Sequence, residues 1–294
     1  VRGRRIIGYW AWELPTVSDP WRAGGLPFVH DIWALSHFTA NAFRAWLPAD
    51  APQSVRAVPI PIAVVPPRPA ALDRAAFGLS DDALVVLVSF NLASSFERKN
   101  PLAAIAAFRQ AFGDRRDRLL LLKLGNPSHF ADDFARVRQA IGGAPNIRIE
   151  TRTFPAAESH ALTACADIVL SLHRSEGFDL VPAEAMLLGR PVVATGWSGN
   201  MDFMDEHSAA LVGYRLVPAR DPRGVCEAPG AVWADPDVGD AARHLARLAD
   251  DADARSLLGL RGRVRATASL GDAPLREALC AIGLIAADRP GMAA

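Results

Sequence analysis

From Leu84 onward the apolar residues fall in short runs separated by longer stretches of mixed character. Leu84 to Phe90, Leu119 to Leu124, Ile147 to Glu150, Ile168 to Leu172 and Val192 to Thr195 are too short for helices and rich in Val, Ile and Leu. They read as buried strands. Between them Pro101 to Phe112, Phe130 to Ile141, Ala156 to Ala164 and Val181 to Leu188 carry helical spacing. Such alternation predicts βαβ units and a parallel sheet, and hence an α/β fold. Helical patterns over Val238 to Ala249, Asp253 to Ala268 and Pro274 to Ile285 close the chain.

Ahead of Leu84 the pattern changes. Ile6 to about Val65 reads as strand, helix and strand pieces that include Trp10, Trp12, Trp21, Trp33 and Trp46. The segment Pro66-Pro67-Arg68-Pro69-Ala70-Ala71 then excludes both a helix and a central strand, and is read as a linker. Residues 1–75 are therefore expected to form a partial N-terminal domain plus linker, and residues 76–294 the C-terminal domain.

Composition narrows the function classes. Half of the 294 residues are hydrophobic, enough for a sizeable core. Lys plus Arg and Asp plus Glu both number 32, a formal net charge of +0 that argues against electrostatic capture of nucleic acid. The three cysteines, Cys165, Cys226 and Cys280, lack metal-ligand spacing, and a reducing compartment, the cytoplasm, suits them. No apolar stretch of about 18 residues is present, so no membrane span is expected. The opening Val1-Arg2-Gly3-Arg4-Arg5-Ile6-Ile7 is basic then apolar, but Glu13 and Pro15 interrupt it too soon for a signal peptide.

The densest chemistry lies at Ser175-Glu176-Gly177-Phe178-Asp179-Leu180-Val181, where a strand end turns into a helix. Glu176 sits at the carboxyl end of the strand and Glu184 roughly one turn into the helix, so both carboxylates are expected to face the crevice where open α/β sheets bind ligands. The amides around Gly177 and Phe178 point out of a helix N-terminus, a setting suited to phosphate oxygens.

The E-x7-E spacing of Glu176 and Glu184, followed by Gly189-Arg190-Pro191-Val192-Val193-Ala194-Thr195 and Ser198-Gly199-Asn200, resembles the GT-B glycosyltransferases of family 4. Arg98-Lys99-Asn100-Pro101 looks like that family's phosphate-binding basic turn. Trp233-Ala234-Asp235-Pro236-Asp237 is similar to its late C-terminal segment. Gly8 to Leu14 and Asp31 to Ser36 are similar to pieces of its N-terminal domain. The resemblance implies a Rossmann-like parallel-sheet C-terminal domain with an incomplete Rossmann-like, acceptor-side N-terminal domain, and a last helix returning to pack on the latter. It also implies metal-independent, cofactor-free transfer of a hexose from a nucleotide-diphosphate sugar, with retention, to a glycan or lipid-linked acceptor. Peripheral contact with the inner face of a membrane is in keeping with such an acceptor.

By resemblance Glu184 accepts hydrogen bonds from ribose hydroxyls, Glu176 holds the transferred sugar, and Lys99 with Arg98 neutralises the leaving diphosphate. Gly177, Phe178, Asp179, Leu180, Val181, His173, Arg174, Lys123 and the amides of Ser198, Gly199 and Asn200 complete the expected donor site. Two departures stand out. The family's arginine five or six residues before the lysine is replaced by Ala93 or Ser94, so that Arg98 must substitute or the leaving group is less well stabilised. Asp179 occupies a position that is usually glycine, where its charge repels the donor unless turned away. The bland reading of Asp179 is a residue that caps, or electrostatically favours, the first turn of the following helix. The bland reading of the string Asp235-Pro236-Asp237 is likewise capping rather than metal binding.

About 65 residues precede the linker, with no Gly-rich first turn and no initiating methionine, so either a fragment or an initiator codon rendered as valine fits. A non-catalytic nucleotide-sugar-binding module or inactive fragment is the alternative function, and a GT-A-like or glycosidase activity is a third. The tryptophans read chiefly as core. An acceptor platform or membrane contact is the other reading, with Glu13 the charged residue beside them. The other histidines, His30, His37, His129, His160, His207 and His244, read as structural or solvated.

Overall fold

A computed structural model describes residues 3–286, without the side chains of residues 21–23. The expectations attached to Val1, Arg2 and the Trp21 side chain therefore lie outside the described residues. The chain begins with β1 (Ile7–Trp10), α1 (Pro20–Gly25), β2 (Asp31–Ala34), α2 (His37–Trp46) and β3 (Ser54–Ala57). These strands form a parallel sheet in the order β1-β2-β3. Trp12, Trp33 and Trp46 are buried there, and Trp10 stacks against Phe43, so these tryptophans are core rather than platform.

After a segment without helix or strand around Pro66 to Ala71, the second sheet begins. Its elements are β4 (Leu84–Asn91), α3 (Phe96–Lys99), α4 (Pro101–Phe112), β5 (Arg118–Gly125), α5 (Ala131–Ile141), β6 (Ile147–Glu150), α6 (Ala156–Cys165), β7 (Ile168–Ser171), α7 (Leu180–Leu187), β8 (Val192–Thr195) and β9 (Ala210–Val212). All pairings are parallel, in the order β6-β5-β4-β7-β8-β9. Successive connections turn outward in opposite directions from the β4/β7 junction, which opens a crevice at the carboxyl ends of those two strands.

The apolar run Leu84–Val88 of β4 explains its central place, since a strand covered on both faces needs apolar residues on both sides. Val86, Val88 and Phe90 face one core with Ile105, Phe108, Leu120 and Leu122. Val85 and Leu87 face the other with Leu121, Val169, Met186 and Phe203. This division follows from the two-residue period of a strand.

The remainder comprises an antiparallel ribbon, β10 (Tyr214–Pro218) with β11 (Val232–Pro236), and helices α8 (Val238–Asp250), α9 (Ala252–Ser269) and α10 (Ala273–Ala281). Trp233 of the ribbon packs into the N-terminal core with Trp12, Phe43 and Cys226. Helix α10 packs Ala278 against Trp33 and Val58 of the first sheet. The helical pattern expected to reach Ile285 stops at Ala281. There Gly283 takes a φ of 75°, its amide bonds to Cys280 and that of Leu284 to Leu279, a left-handed helix terminus that glycine accommodates.

Candidate active site

Lys99 joins the two halves of the site. Its Nζ lies 2.5 Å from Oε1 of Glu176, and its side chain also lines a cavity of about 500 Å3 with Lys123 and Glu184. The cavity sits at the carboxyl ends of β4 and β5. Ser89 and Asn91 of β4, Ser94, Asn126, Thr153 and Phe154 complete its polar and aromatic wall. Lys99 and Lys123 thus bring two ammonium groups to a cavity that also holds the Glu184 carboxylate, Lys99 being paired with Glu176 at its edge.

Glu184 is half-buried on α7, and His160 Nε2 lies 3.5 Å from its Oε1. Burial pushes its pKa up, with the His160 contact opposing. His160 was assigned no role by the sequence reading, because its contact with Glu184 arises only when α6 packs beside α7. Lys123 stands over the Phe154 ring at 5.5 Å. Burial lowers its pKa, Glu150 opposes and Arg152 adds to the lowering.

Glu176 does not share the cavity with Glu184, contrary to the expected common crevice. It is buried, with Arg98 Nη1 2.7 Å from Oε2 and Lys99 on the other oxygen. Burial alone would raise the Glu176 pKa, but Lys99, Arg98 and His173 outweigh it and bring it down to about 2. Arg98 departs from its expected place on the leaving diphosphate. It is 5 % exposed, donates to Ser175 O at 3.0 Å, and has Glu13 Oε1 4.0 Å from Nη2. Both the N-terminal turn and the strand end therefore enclose it. Glu13 belongs to this cluster.

The turn from His173 to Asp179 is held on all sides. Arg174 N donates to Arg98 O at 2.7 Å, and Ala234 N donates to Arg174 O at 2.8 Å. Its guanidinium lies 3.4 Å from Asp235 and over the Trp233 ring, away from the cavity lining. Ser175 Oγ donates to Glu13 O. Thr39 Oγ1 stands within reach of both Trp12 O, at 2.9 Å, and Gly177 O, at 3.3 Å. A Cβ on Gly177 would lie 2.7 Å from Trp12 O, and one on Gly199 would lie 2.3 Å from Gly177 O, so both positions require glycine for close approach.

Several expected donor contacts serve this framework instead. Ser198 Oγ accepts from Glu176 N at 2.9 Å, Gly199 N donates to Glu176 O at 2.8 Å, and Asn200 Nδ2 donates to Thr195 O at 3.0 Å. The Gly199 amide is thus committed to the turn, and the Ser198 hydroxyl and the Asn200 side chain brace it. Phe178 is buried against the Phe203 ring, whereas Leu180 is exposed and Val181 lines the cavity. The amides of Gly177 and Phe178 make no hydrogen bond among the described residues and precede α7.

Asp179 stands at the N-cap position of α7. It has φ 77°, and its side chain does not cap α7. Oδ2 instead lies 3.1 Å from Nδ1 of His173 and accepts from Ser171 Oγ at 3.0 Å. His173 is fully buried, and its Nε2 lies 3.1 Å from Trp197 O. Burial pulls the His173 pKa down, but Asp179, Glu176 and the Trp197 carbonyl together carry it above the ordinary value. Asp179 is thus turned back into the protein against the His173 ring.

Two further features escaped the sequence reading. Arg223 donates to Leu92 O at 2.8 Å and to the carbonyls of Ala93 and Ser94, so a guanidinium braces the loop that lacks the family's arginine. Phe38, Trp197 and Tyr214 form a row of rings, 5.1 and 6.3 Å between centroids, from α2 to the start of β10. Beside it Arg215, Asp235 and Asp237 line a recess of about 540 Å3 with Tyr214. Asp237 caps α8 by accepting from Asp240 N at 2.9 Å, and Asp235 pairs with Arg215 at 2.9 Å. Among the described residues no group of three His, Cys, Asp or Glu side chains is placed to hold a metal ion.

Comparison with known proteins agrees with this architecture. The profile of a family described as "Family 4 Glycosyltransferase in conflict systems" matches residues 42–265. No curated protein matches by sequence. Among solved structures, sucrose-phosphate synthase from Thermosynechococcus elongatus aligns with TM-score 0.63 and 22% identity over 88% of this chain and 59% of its own. HepE from Anabaena, solved with UDP and glucose, aligns with TM-score 0.66 and 17% identity over 95% of this chain and 71% of its own. A glycosyltransferase from Rickettsia africae gives TM-score 0.63 and 14% identity, covering 91% and 67% respectively. The chain thus spans 59% of the synthase, and at these identities the likeness is one of fold.

Proposed function

Since the chain belongs to the family 4 glycosyltransferases of conflict systems and has the GT-B type of fold, we propose that it transfers a hexose from a nucleotide-diphosphate sugar to a glycan or lipid-linked acceptor, with retention and without a metal. The observation that carries this reading is Lys99, which touches Glu176 and lines the cavity that holds Glu184. The cavity takes the nucleoside, with Glu184 accepting from the ribose hydroxyls. The diphosphate lies toward Lys99 and the unpartnered amides of Gly177 and Phe178, where a cation and a helix N-terminus oppose the charge that builds on the leaving group.

In this reading Lys99 and Arg98 keep Glu176 ionised before donor arrives. When the diphosphate enters, Lys99 turns to it, and Glu176, still held by Arg98, offers its freed oxygen to a sugar hydroxyl. The acceptor hydroxyl approaches the same face of the sugar and gives its proton to the departing phosphate. For the acceptor, the row Phe38, Trp197 and Tyr214 provides flat apolar surface for sugar rings, and Arg215 and Asp235 provide hydrogen-bonding groups beside it. HepE, of the same fold, is the neighbour solved with UDP and glucose.

A second reading, a nucleotide-sugar-binding module without turnover, draws on the burial of Arg98 against Glu176. Calorimetric titration with UDP, GDP and ADP and their common sugars, in EDTA, tests both when run beside Glu184→Ala and an assay of donor hydrolysis and transfer. Metal-free binding of one donor, abolished by Glu184→Ala and followed by turnover, supports the transferase. Binding without turnover across acceptors supports the module. Turnover that requires a divalent metal and survives Glu184→Ala overturns the proposed mechanism.

A further inference from the structure

Helix α9 carries two apolar faces where a surface helix ordinarily carries one. Its inward face is made of Gly259, Gly262, Ala266 and Leu270, at positions i, i+3, i+7 and i+11. A Cβ on Gly259 would lie 2.2 Å from Gly189 O, and one on Gly262 3.0 Å from Ser208 O, so this face is packed to backbone contact. On the outward side, Leu257, Leu260 and Val264 repeat the i, i+3, i+7 spacing in solvent, exposed by 47%, 60% and 64%. At about 100° per residue, Arg261 and Arg265 fall on one flank of that strip and Arg263 on the other. All three are exposed. Arg265 reaches Asp205 at 3.4 Å, while Arg261 and Arg263 have no ion pair among the described residues.

From this arrangement we propose that the outward face of α9 rests on an anionic lipid surface. An apolar strip edged by cations is the pattern of a helix lying in the membrane interface. The aliphatic side chains enter the headgroup boundary, while the arginine stems follow the apolar surface and place their guanidinium groups on lipid phosphates. Asp253, and the acidic residues Asp250 and Asp251 before it, gather at the N-terminal end of the helix. The contact therefore falls on the C-terminal two-thirds. At that end the Ala63 amide donates to Leu270 O at 3.0 Å, and the adjoining Val64 and Val65 are exposed as well. A second copy of the chain is a poorer occupant, because a two-fold contact through this face brings arginine rows against arginine rows. With only three aliphatic side chains in the strip, attachment depends on anionic lipid and weakens as salt rises.

Flotation of the protein with vesicles of phosphatidylcholine alone, and with vesicles in which about a third of the lipid is phosphatidylglycerol, tests this directly. The expected result is recovery with the anionic vesicles and not with the neutral ones, reduced about tenfold or more by Leu260→Ser with Val264→Ser and, separately, by Arg261→Glu with Arg263→Glu. Both variants alter exposed side chains, and matching thermal melts show that each retains the fold. Absence of the wild type from the anionic fraction overturns the proposal, as does equal recovery of wild type and both variants. Sedimentation velocity showing a dimer that Leu260→Ser with Val264→Ser dissolves overturns it in favour of a second copy.

Discussion

Nδ1 of His173 and Oδ2 of Asp179 lie 3.1 Å apart in the buried turn that leads into α7, a contact that favours the protonated imidazole. The His173 pKa is raised on folding, so its contribution to stability is fully present below the unfolded value near 6.5 and is lost as pH rises through the higher folded value. Asp179→Asn is expected to lower the imidazole pKa and flatten stability against pH across that window. An NMR titration of the His173 ring beside denaturant melts from pH 5 to 9 checks it; an unchanged titration would show that Asp179 does not hold the charge.

Glu176→Gln leaves Arg98 and Lys99 facing a neutral amide in a buried place. The expected cost is about 3–5 kcal/mol, as for a buried pair broken on one side. The wild type should also lose stability as pH falls from about 4.5, the unfolded value, toward the folded value of about 2, whereas the variant should lose less over that range. Urea midpoints between pH 2 and 7 for both proteins measure the difference.

Lys99→Met removes the cation shared by the cavity and Glu176 while keeping the length of the side chain. Donor affinity should fall on the order of 10- to 100-fold, the worth of a charge-assisted contact to phosphate, with loss of turnover as well. Calorimetry against the donor and its free nucleoside separates the diphosphate contact from nucleoside binding, which should change little.

Gly199→Ala places a methyl group on the Gly177 carbonyl. Overpacking against backbone should cost about 1–3 kcal/mol and displace the Glu176 turn, so melting temperature and donor affinity fall together. A variant that melts with the wild type would show that the turn yields freely.

The sheet was legible because β4, β5, β7 and β8 each hold an apolar run of three to five residues, Leu84–Val88 and Leu119–Leu122 the longest, and a strand buried on both faces announces itself that way. Glu184, Lys99 and Lys123 were legible for a related reason, since they stand at strand ends or in the first turns of helices. The ribbon was not. Tyr214, Arg215 and Leu216 of β10 are exposed, which leaves no alternation to read, and β9 spans only Ala210–Val212. Nor was the pairing of Arg98 with Glu176, because the basic turn and the acidic strand end meet only through the β4/β7 neighbourhood. Arg223 and Phe154 enter from loops, and no local period marks a loop side chain that reaches a distant wall.

Thr39 shares its hydroxyl between the Trp12 carbonyl on one side and the Gly177 carbonyl on the other, next to the Ser175 contact with Glu13. Helix α2 and the segment after β1 therefore touch the backbone of the Glu176 turn itself. A substitution that displaces the Thr39 hydroxyl or the Trp12 carbonyl therefore acts on the backbone that carries Glu176, although neither group touches the carboxylate.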